Sequence, residues 1–249
     1  MVDPIEQFNI HKIFTIGHIG NQEIAFTNSS AYMFGAVAVV ALLMIGGVSR
    51  KELVPSRIQS VAELSYEFVA NTIRSTAGKE GMRFFPFVFS IFMLLAVSNI
   101  VGIIPYAFTI SSHIIITAAL ALMVFLTVVV YGFYKNGLKF LRIFVPSGVP
   151  VYILPLVVAI EIFSFFVRPV SHSVRLFANM LAGHITLKVF ASFVATLGAF
   201  GLVGWFGAAL PLGLTVALTA LELLIAFLQA YVFAILTCIY LNDAIHPGH

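Results

Sequence analysis

A short stretch in the second half of the chain places polar and ionisable side chains in an otherwise apolar sequence. The stretch SHSVRLFANMLAGH (171–184) contains Arg175 and His184. An arginine stays protonated at every physiological pH, so it can act as a fixed positive charge but cannot carry a proton. A histidine titrates near pH 6.5 and can both accept and release one. Arg175 is therefore a candidate fixed charge, and His184 is a candidate proton carrier.

A second pair of polar residues lies further along the chain, at Glu222 and Gln229. Seven residues separate them, and seven steps of 100° return a helix to nearly the same face. A histidine and a glutamate that meet across a helical hairpin can pass a proton between them, so we predict that His184 and Glu222 are proton carriers. Asn179 and Gln229 are predicted to relay hydrogen bonds or to orient Arg175, with ordinary hydrogen bonding between helices as the equal alternative.

Three charged residues follow the same seven-residue interval. Glu161, Arg168 and Arg175 form one stripe along a helix. The polar residues close to this stripe are Ser171, His172 and Asn179. An ion pair that only holds helices together is the structural alternative for Glu161 and Arg168. Arg175 has no acid within one turn, so its partner must lie elsewhere in the chain or in another protein, whereas His184 points to the opposite side of the helix.

The composition of the chain indicates the solvent around these charges. Only 9% of the 249 residues are charged and 61% are hydrophobic, whereas a soluble domain carries about 25% charged residues. The sequence therefore predicts an integral membrane protein in a lipid bilayer, and the net charge of +3 indicates no nucleic-acid binding. A charge at bilayer depth costs about 2.5–3.5 kcal/mol, so its default interpretation is functional. Neither a P-loop, a zinc-ligand spacing nor a nucleophile elbow is present, and we predict no cofactor and no metal.

Apolar stretches of about 20 residues predict membrane helices. Three precede the charged region, at 31–49, about 84–108 and about 112–134. The segment 55–77 has an apolar and a polar side instead, and Ser56 is its predicted N-cap. This amphipathic helix is expected on the membrane surface or packed on other helices, and the two arrangements are compatible. Its predicted apolar side consists of Ile58, Val61, Leu64, Phe68, Val69 and Ile73, and its polar side of Gln59, Glu63, Glu67 and Arg74.

The region from residue 143 onward predicts a long helical hairpin. The glycine-rich stretch GAFGLVGWFGAALP (198–211) is the predicted turn. Each arm is then about 30–45 residues long, and a 45-residue helix measures about 68 Å against a hydrocarbon core of about 30 Å. Such arms must tilt strongly or bend. An alternative division breaks the first arm at Pro169 into two crossings, but it violates the charge alternation of the connections.

That alternation predicts how the chain lies across the membrane. The N-terminal tail is net acidic, and the following connections are basic, neutral and basic. Because basic loops stay on the cytoplasmic side, the N-terminus is expected outside and the C-terminus in the cytoplasm. The predicted parts are an outside tail (1–30), a first membrane helix with the surface helix and a two-helix hairpin (31–142), and a long tilted hairpin that forms the ion path (143–249). The charges concerned are Asp3, Glu6, Lys12 and Glu23, then Arg50, Lys51, Arg57, Arg74, Lys79 and Arg83, and finally Lys135, Lys139 and Arg142.

Two motifs carry a resemblance to a known family. SHSVRLFANMLAGH (171–184), followed by ELLIAFLQAYVFAILTCIYL (222–241), closely resembles the a subunits of rotary F-type ATP synthases, in their alpha-proteobacterial and mitochondrial arrangement. The resemblance covers essentially the whole chain. Together with the residue pattern it predicts an all-α integral membrane protein of about five membrane helices plus one amphipathic surface helix. The last two membrane helices are long and strongly tilted as a hairpin.

The resemblance also implies a function. Members of this family are stator subunits beside a ring of c subunits, held by peripheral-stalk b subunits, and they provide two offset half-channels for protons. Arg175 matches the arginine that faces the ring carboxylates. The outside half-channel is matched by Asn179, His184, Glu222 and Gln229, and the inside half-channel by Glu161, Arg168, Ser171 and His172. The chain is then not itself catalytic for ATP chemistry but part of the ATP synthase of a bacterial inner membrane, with the mitochondrial inner membrane as the alternative.

Other classes of membrane protein fit the residues less well. A secondary transporter also holds charges at mid-membrane, but it should show inverted repeats, and the sequence has none. An enzyme needs a nucleophile or metal set, which one cysteine and scattered histidines do not make. A scaffold could use an ion pair of Glu161 and Arg168 but not a lone Arg175. The proton is the favoured coupling ion, although the residues of this chain do not determine which ion is transported.

Overall fold

A computed structural model describes residues 9–19, 22–49, 54–104, 107–145, 149–150 and 152–247. Its internal contacts divide the chain into two compact units. Unit 1 consists of Met1–Ala41, Leu94–His113 and Leu176–Ala230, and unit 2 of Leu42–Met93, Ile114–Arg175 and Tyr231–His249. Of the charges that predict the orientation, Asp3, Glu6, Arg50 and Lys51 lie outside the described residues.

Unit 1 begins with a β-hairpin that was not predicted from the sequence. Strand β1 (Lys12–Ile19) pairs antiparallel with β2 (Gln22–Thr27). Asn28, directly after β2, donates its backbone amide to the carbonyl of His11 (3.1 Å) and accepts the amide of His11 at its side chain (3.2 Å). Lys12 Nζ lies 2.5 Å from Glu23 Oε2 across the hairpin. This hydrogen bond and the charge of Lys12 lower the pKa of Glu23, which is exposed.

Five helices of the described residues are long and apolar enough to cross a membrane. These helices account for the predicted class, an all-α membrane protein with one further amphipathic helix, which is confirmed. The bounds of the first and third spans lie within a few residues of the predicted ones, whereas the second span ends early. The hairpin begins at Leu154 and not at 143, and the predicted turn over 198–211 is wrong for most of its length, since the last helix runs from Gly201 through Pro211. The helices are α1 (Asn28–Ser49), α2 (Arg57–Gly81), α3 (Phe85–Ile103), α4 (Ile114–Asn136), α5 (Leu154–Gly198) and α6 (Gly201–Ile245), of which α2 is the amphipathic one.

Helix α2 begins close to where its sequence predicts, but only part of its predicted apolar side is buried. The hydroxyl of Ser56 caps it by accepting the backbone amide of Gln59 at 3.4 Å. Val69 and Ile73 are buried, whereas Leu64 on the predicted apolar side is 66% exposed. The helix therefore packs on its own unit along one edge of its apolar side and presents the other edge outward, which suits a membrane surface. Gln59, predicted on the polar side, is buried instead.

The connection between α3 and α4 is folded inward. A 3₁₀ turn (Ile110–Ser112) lies directly before α4, and its three residues are buried. Phe108 and Thr109 before the turn are buried as well. The second span, predicted to continue to about residue 108, ends at Ile103 because the chain turns back into its own unit at this point.

In unit 2, helix α4 and the segment after it form an aromatic core. The chain continues from α4 into a 3₁₀ helix (Gly137–Phe144). Phe140 is 1% exposed, and its ring lies over Gly132, where a Cβ atom would be only 2.4 Å from the ring. Phe165 of α5 contacts Phe140 at a centroid distance of 6.4 Å. The hydroxyl groups of Thr117 on α4 and Ser173 on α5 are 3.1 Å apart, and both side chains are buried.

The last two helices form the predicted hairpin. Both α5 and α6 have 45 residues, and α5 runs without interruption through Pro169. The alternative division into two crossings at Pro169 is therefore wrong. Only residues 199 and 200 separate the helices, and α6 begins at Gly201 with φ +74°, a conformation that glycine adopts readily. The strong tilt stays a prediction from the helix length of about 68 Å.

Candidate functional site

The first polar cluster, in unit 1, joins the two predicted proton carriers. Nδ1 of His184 on α5 lies 3.0 Å from Oε1 of Glu222 on α6. His184 is 6% exposed and Glu222 is 4% exposed. Neither carboxyl oxygen of Glu222 makes a well-aligned hydrogen bond within the described residues, although Oε1 is at ion-pair distance. The pair is thus close enough to exchange a proton, while the carboxyl oxygens are not saturated by hydrogen bonds.

Room for this pair is made by the residue directly before the histidine. A Cβ atom on Gly183 would lie 2.9 Å from Oε1 and 3.3 Å from Cδ of Glu222. Any larger side chain at position 183 would therefore displace the carboxyl group of Glu222. Gly183 therefore adjoins the site, although it was not predicted from the sequence.

The inward-folded connection supplies a third partner to the pair. Oγ1 of Thr109 lies 2.9 Å from Nε2 of His184, so both ring nitrogens of the histidine face a polar atom. Thr109 is 1% exposed. This residue was not predicted from the sequence. Its signal was a run of hydroxyl side chains, TISS (109–112), in a connection with no charge.

The two amides predicted beside the pair also meet. Nδ2 of Asn179 donates to Oε1 of Gln229 at 3.3 Å. Gln229 is buried, whereas Asn179 is exposed. This hydrogen bond therefore joins a buried side chain of α6 to an exposed side chain of α5 within unit 1.

The second polar cluster, in unit 2, centres on Arg168. Its guanidinium lies 2.7 Å from Oδ2 of Asp243 on α6 and 3.6 Å from Oε1 of Glu161 on α5. The rings of Phe165 and Tyr240 flank the guanidinium carbon at 5.6 and 5.1 Å. The predicted pairing of Glu161 with Arg168 is present, but Asp243 is the closer partner. Sequence reasoning missed Asp243 because it lies 75 residues away in the polar end of α6.

His172 and Ser171 occupy different faces of α5. His172 is 4% exposed and meets the ring of Phe233 edge-on at a centroid distance of 3.8 Å. Both ring nitrogens of His172 lack a hydrogen bond within the described residues. A buried polar ring without a hydrogen-bond partner is costly. Ser171 is exposed.

Arg175 differs from every other charge of the stripe. Its side chain is exposed, and among the described residues it takes part in no ion pair. Its exposed neighbours along α5 include Ser171 and Asn179. The guanidinium therefore stands on an open helix face, available to a partner outside this chain.

The fold and the two clusters together define an integral membrane protein with ionisable groups at the depth of its helices, a feature of proteins that move ions. Within the described residues, no group of three His, Cys, Asp or Glu side chains is placed to hold a metal ion. The comparisons with known proteins agree with this class. The family described as ATP synthase A chain matches residues 30–242.

Relatives match the chain over its full length. It is 78% identical over 249 residues, all of both chains, to the ATP synthase subunit a of Nitrobacter winogradskyi. It is 77% identical over 247 residues, 99% of each chain, to the ATP synthase subunit a of Rhodopseudomonas palustris strain TIE-1. The chain belongs to the ATP synthase A chain family.

Proposed function

We propose that this chain is the proton-translocating stator subunit of a rotary F-type ATP synthase in the bacterial inner membrane. Its partners are the ring of c subunits, the peripheral-stalk b subunits and the rest of the complex. Membership of the family and the ATP synthase subunits among its relatives support this function. The chain couples the movement of protons to rotation and does not itself perform ATP chemistry.

The observation that carries the mechanism is the contrast between Arg175 and the other ionisable groups of α5. His184 and Arg168 have acidic partners within the chain, whereas Arg175 is exposed and has none among the described residues. An unpaired arginine at membrane depth is costly. A carboxylate on the passing c subunit, supplied by another protein, provides the missing charge.

The outside half-channel is assigned to unit 1. A proton enters through the pair of His184 and Glu222, with Asn179 and Gln229 beside it, and neutralises a ring carboxylate. The 3.0 Å approach of the pair and the hydrogen bond between the two amides support this assignment. The neutral carboxyl group can then enter the lipid, because it no longer carries a charge.

The inside half-channel is assigned to unit 2. After almost a full rotation, the ring carboxyl group releases its proton past Glu161, Arg168, Ser171 and His172, to which the geometry adds Asp243. All of these residues belong to unit 2, whereas those of the outside path belong to unit 1. This division supports two separate paths, and the fixed charge of Arg175 prevents a direct leak between them.

The membrane potential supplies part of the driving force. Each charge that crosses the membrane contributes about 2.3 kcal/mol per 100 mV, and the pH difference adds to it. The N-terminal hairpin lies outside and the C-terminus in the cytoplasm. The basic residues Lys135, Lys139 and Arg142 around the 3₁₀ helix of unit 2 support this orientation.

Replacing Arg175→Ala in the whole complex tests the proposed function. Inside-out vesicles are assayed for ATP-driven proton pumping, with ATP hydrolysis followed in parallel. We expect pumping to be lost while the complex remains assembled, because the ring carboxylate loses its counter-charge. The exposed Arg74→Ala on α2 is the matched control and should pump normally. Normal pumping by Arg175→Ala would show that this arginine has no coupling role and would overturn the mechanism.

A further inference from the structure

The inward-folded connection between α3 and α4 contains three buried hydroxyl side chains. Thr109, Ser111 and Ser112 are 1%, 2% and 4% exposed. Hydroxyl groups buried in an apolar setting are costly unless they are hydrogen-bonded. Each of the three has a partner: His184 for Thr109, Asn99 for Ser111 (2.6 Å), and the backbone carbonyl of Thr109 itself for Ser112 (2.6 Å).

This connection is firmly held in place. Asn99 of α3, which accepts the hydroxyl of Ser111, donates its amide to the carbonyl of Ala226 on α6 at 3.2 Å. On the other side, Gly102 leaves space for Thr109, since a Cβ atom there would lie 2.9 Å from the threonine methyl group. The position of the Thr109 hydroxyl is therefore fixed from both ends of the connection.

The Thr109 hydroxyl has two partners of different kinds. One is Nε2 of His184 at 2.9 Å, which can accept or donate a hydrogen bond. The other is the backbone carbonyl of Gly102 at 3.4 Å, which can only accept. A hydroxyl carries one proton and two acceptor lone pairs, so it can serve His184 in either of the two roles.

The two roles match the two protonation states of the histidine. When His184 is neutral with its proton on Nδ1, toward Glu222, the Thr109 hydroxyl donates to the bare Nε2. When His184 gains a second proton, Nε2–H donates to Oγ1, and the hydroxyl proton turns to the carbonyl of Gly102. Both states of a buried imidazole are then hydrogen-bonded at Nε2 without movement of the backbone.

We propose that Thr109 is a positioning residue for proton uptake, which holds His184 and satisfies its Nε2 in both protonation states. The inference rests on the proposed function, since it assigns Thr109 to the entry path. Among the described residues, the charged groups known to act on His184 are Glu222 on α6 and Lys188 one turn further along α5. The hydroxyl of Thr109 is neutral. It can reverse its hydrogen bond when the imidazole of His184 becomes charged, and it adds no charge of its own.

The test compares Thr109→Val, which keeps the shape but removes the hydroxyl, with Thr109→Ser, which keeps the hydroxyl. The whole complex is reconstituted in proteoliposomes, and the rate of ATP synthesis is measured against the pH of the proton-entry compartment. The electrical potential and the pH of the other compartment are held constant. Ser112→Ala is the control, because it removes a hydroxyl of the same turn that does not contact His184.

We expect the half-maximal rate of Thr109→Val to move about one pH unit toward acid, because a hydrogen bond to a charged group is stronger than one to a neutral group, and the variant loses it. Its rate at the most acidic pH should approach that of the wild type. Thr109→Ser and Ser112→Ala should follow the wild-type profile. If Thr109→Val does not assemble, Thr109→Ala gives the same comparison.

An unshifted profile in the variant that lacks the hydroxyl would overturn the inference, as would an equal shift in Ser112→Ala, which would indicate a structural effect of the turn. The outcome is separate from that of the proposed function. If Arg175→Ala abolishes pumping while Thr109→Val leaves the profile unshifted, only the role of Thr109 fails. If Arg175→Ala pumps normally, the proposed function fails first.

Discussion

Nδ1 of His184 and Oε1 of Glu222 lie 3.0 Å apart, although they belong to two different 45-residue helices. Both side chains are almost completely buried. Burying an ionisable pair in this way costs desolvation free energy. Ionisable residues inside membrane segments are therefore interpreted first as functional. In the proposed mechanism this pair is the entry point of the proton from outside.

The substitution Glu222→Gln should keep the shape of the side chain but remove its ability to carry a proton, because an amide cannot accept and release a proton at physiological pH. We expect proton-driven ATP synthesis by the assembled complex to fall at least about a hundredfold, the lower end of the range for loss of a proton-transfer group. The rate is measured in proteoliposomes at a fixed proton gradient. Glu63→Gln on the exposed face of α2 is the control and should leave the rate unchanged. Full activity in Glu222→Gln would remove Glu222 from the proton path.

Replacing Gly183→Ala should alter the site while leaving the helix intact. The new methyl group would approach Oε1 of Glu222 to 2.9 Å, so the flexible carboxyl group has to move away from His184. A small displacement of a reacting group costs rate, and we expect a loss of about tenfold in proton pumping. Assembly should be normal, since alanine favours helices more than glycine.

The matched control for this substitution is Gly213→Ala on α6, where a Cβ atom would meet nothing within 4 Å. It should pump at the wild-type rate. Equal losses in the two variants would mean that Gly183 acts through the helix and not through Glu222.

Arg168 should contribute more to stability than either of its two acidic partners. Arg168→Gln leaves Glu161 and Asp243 without their cation, whereas Asp243→Asn leaves Arg168 with Glu161 at 3.6 Å. We expect Arg168→Gln to lower the Tm of the complex more, and the double variant to lower it no further. The coupling between Arg168 and Asp243 should be about 1 kcal/mol, because both side chains are partly exposed. Additive losses would contradict a direct interaction, and the exposed Lys139→Gln serves as control.

The N-terminal hairpin should loosen only in acid. The pKa of Glu23 is lowered below its ordinary value of 4.5 by the hydrogen bond and the charge of Lys12. The contribution of this pair is therefore complete above the ordinary pKa and is lost as the pH falls through the lowered pKa. Amide hydrogen exchange in β1 and β2, expressed relative to the intrinsic rate at each pH, should accelerate in that range and remain constant from there to neutral pH. In Glu23→Gln this acid-dependent acceleration should be absent, and its persistence would assign the effect to another group.

The sequence predicted those parts of the fold that depend on local periodicity and composition. Apolar runs predicted the membrane helices, and the hydroxyl of Ser56 caps α2 as expected. Helical spacing also predicted that Arg175 and His184 point to opposite sides, and one is exposed while the other is buried. The hairpin was missed, although Gly20-Asn21 between two strand-like runs is a recognised hairpin signal.

The remaining features of the site depend on packing between distant segments. Thr109 meets His184 only because the connection before α4 folds inward, and Asp243 meets Arg168 only because α5 and α6 lie side by side in unit 2. No spacing within one helix encodes either contact. The same holds for Gly183, whose role depends on where the carboxyl group of Glu222 is placed.

The hydrogen bond between Thr117 and Ser173 has a mechanical consequence. Ser173 is two residues before Arg175, which places it about 200° around α5, on the back of the helix. In the proposed mechanism Arg175 faces the ring, so the pull of a passing carboxylate on its guanidinium acts to turn α5 about its own axis. The bond from Ser173 to α4 anchors the side of α5 opposite the arginine, so it resists the rotation that would carry Arg175 out of alignment with the ring.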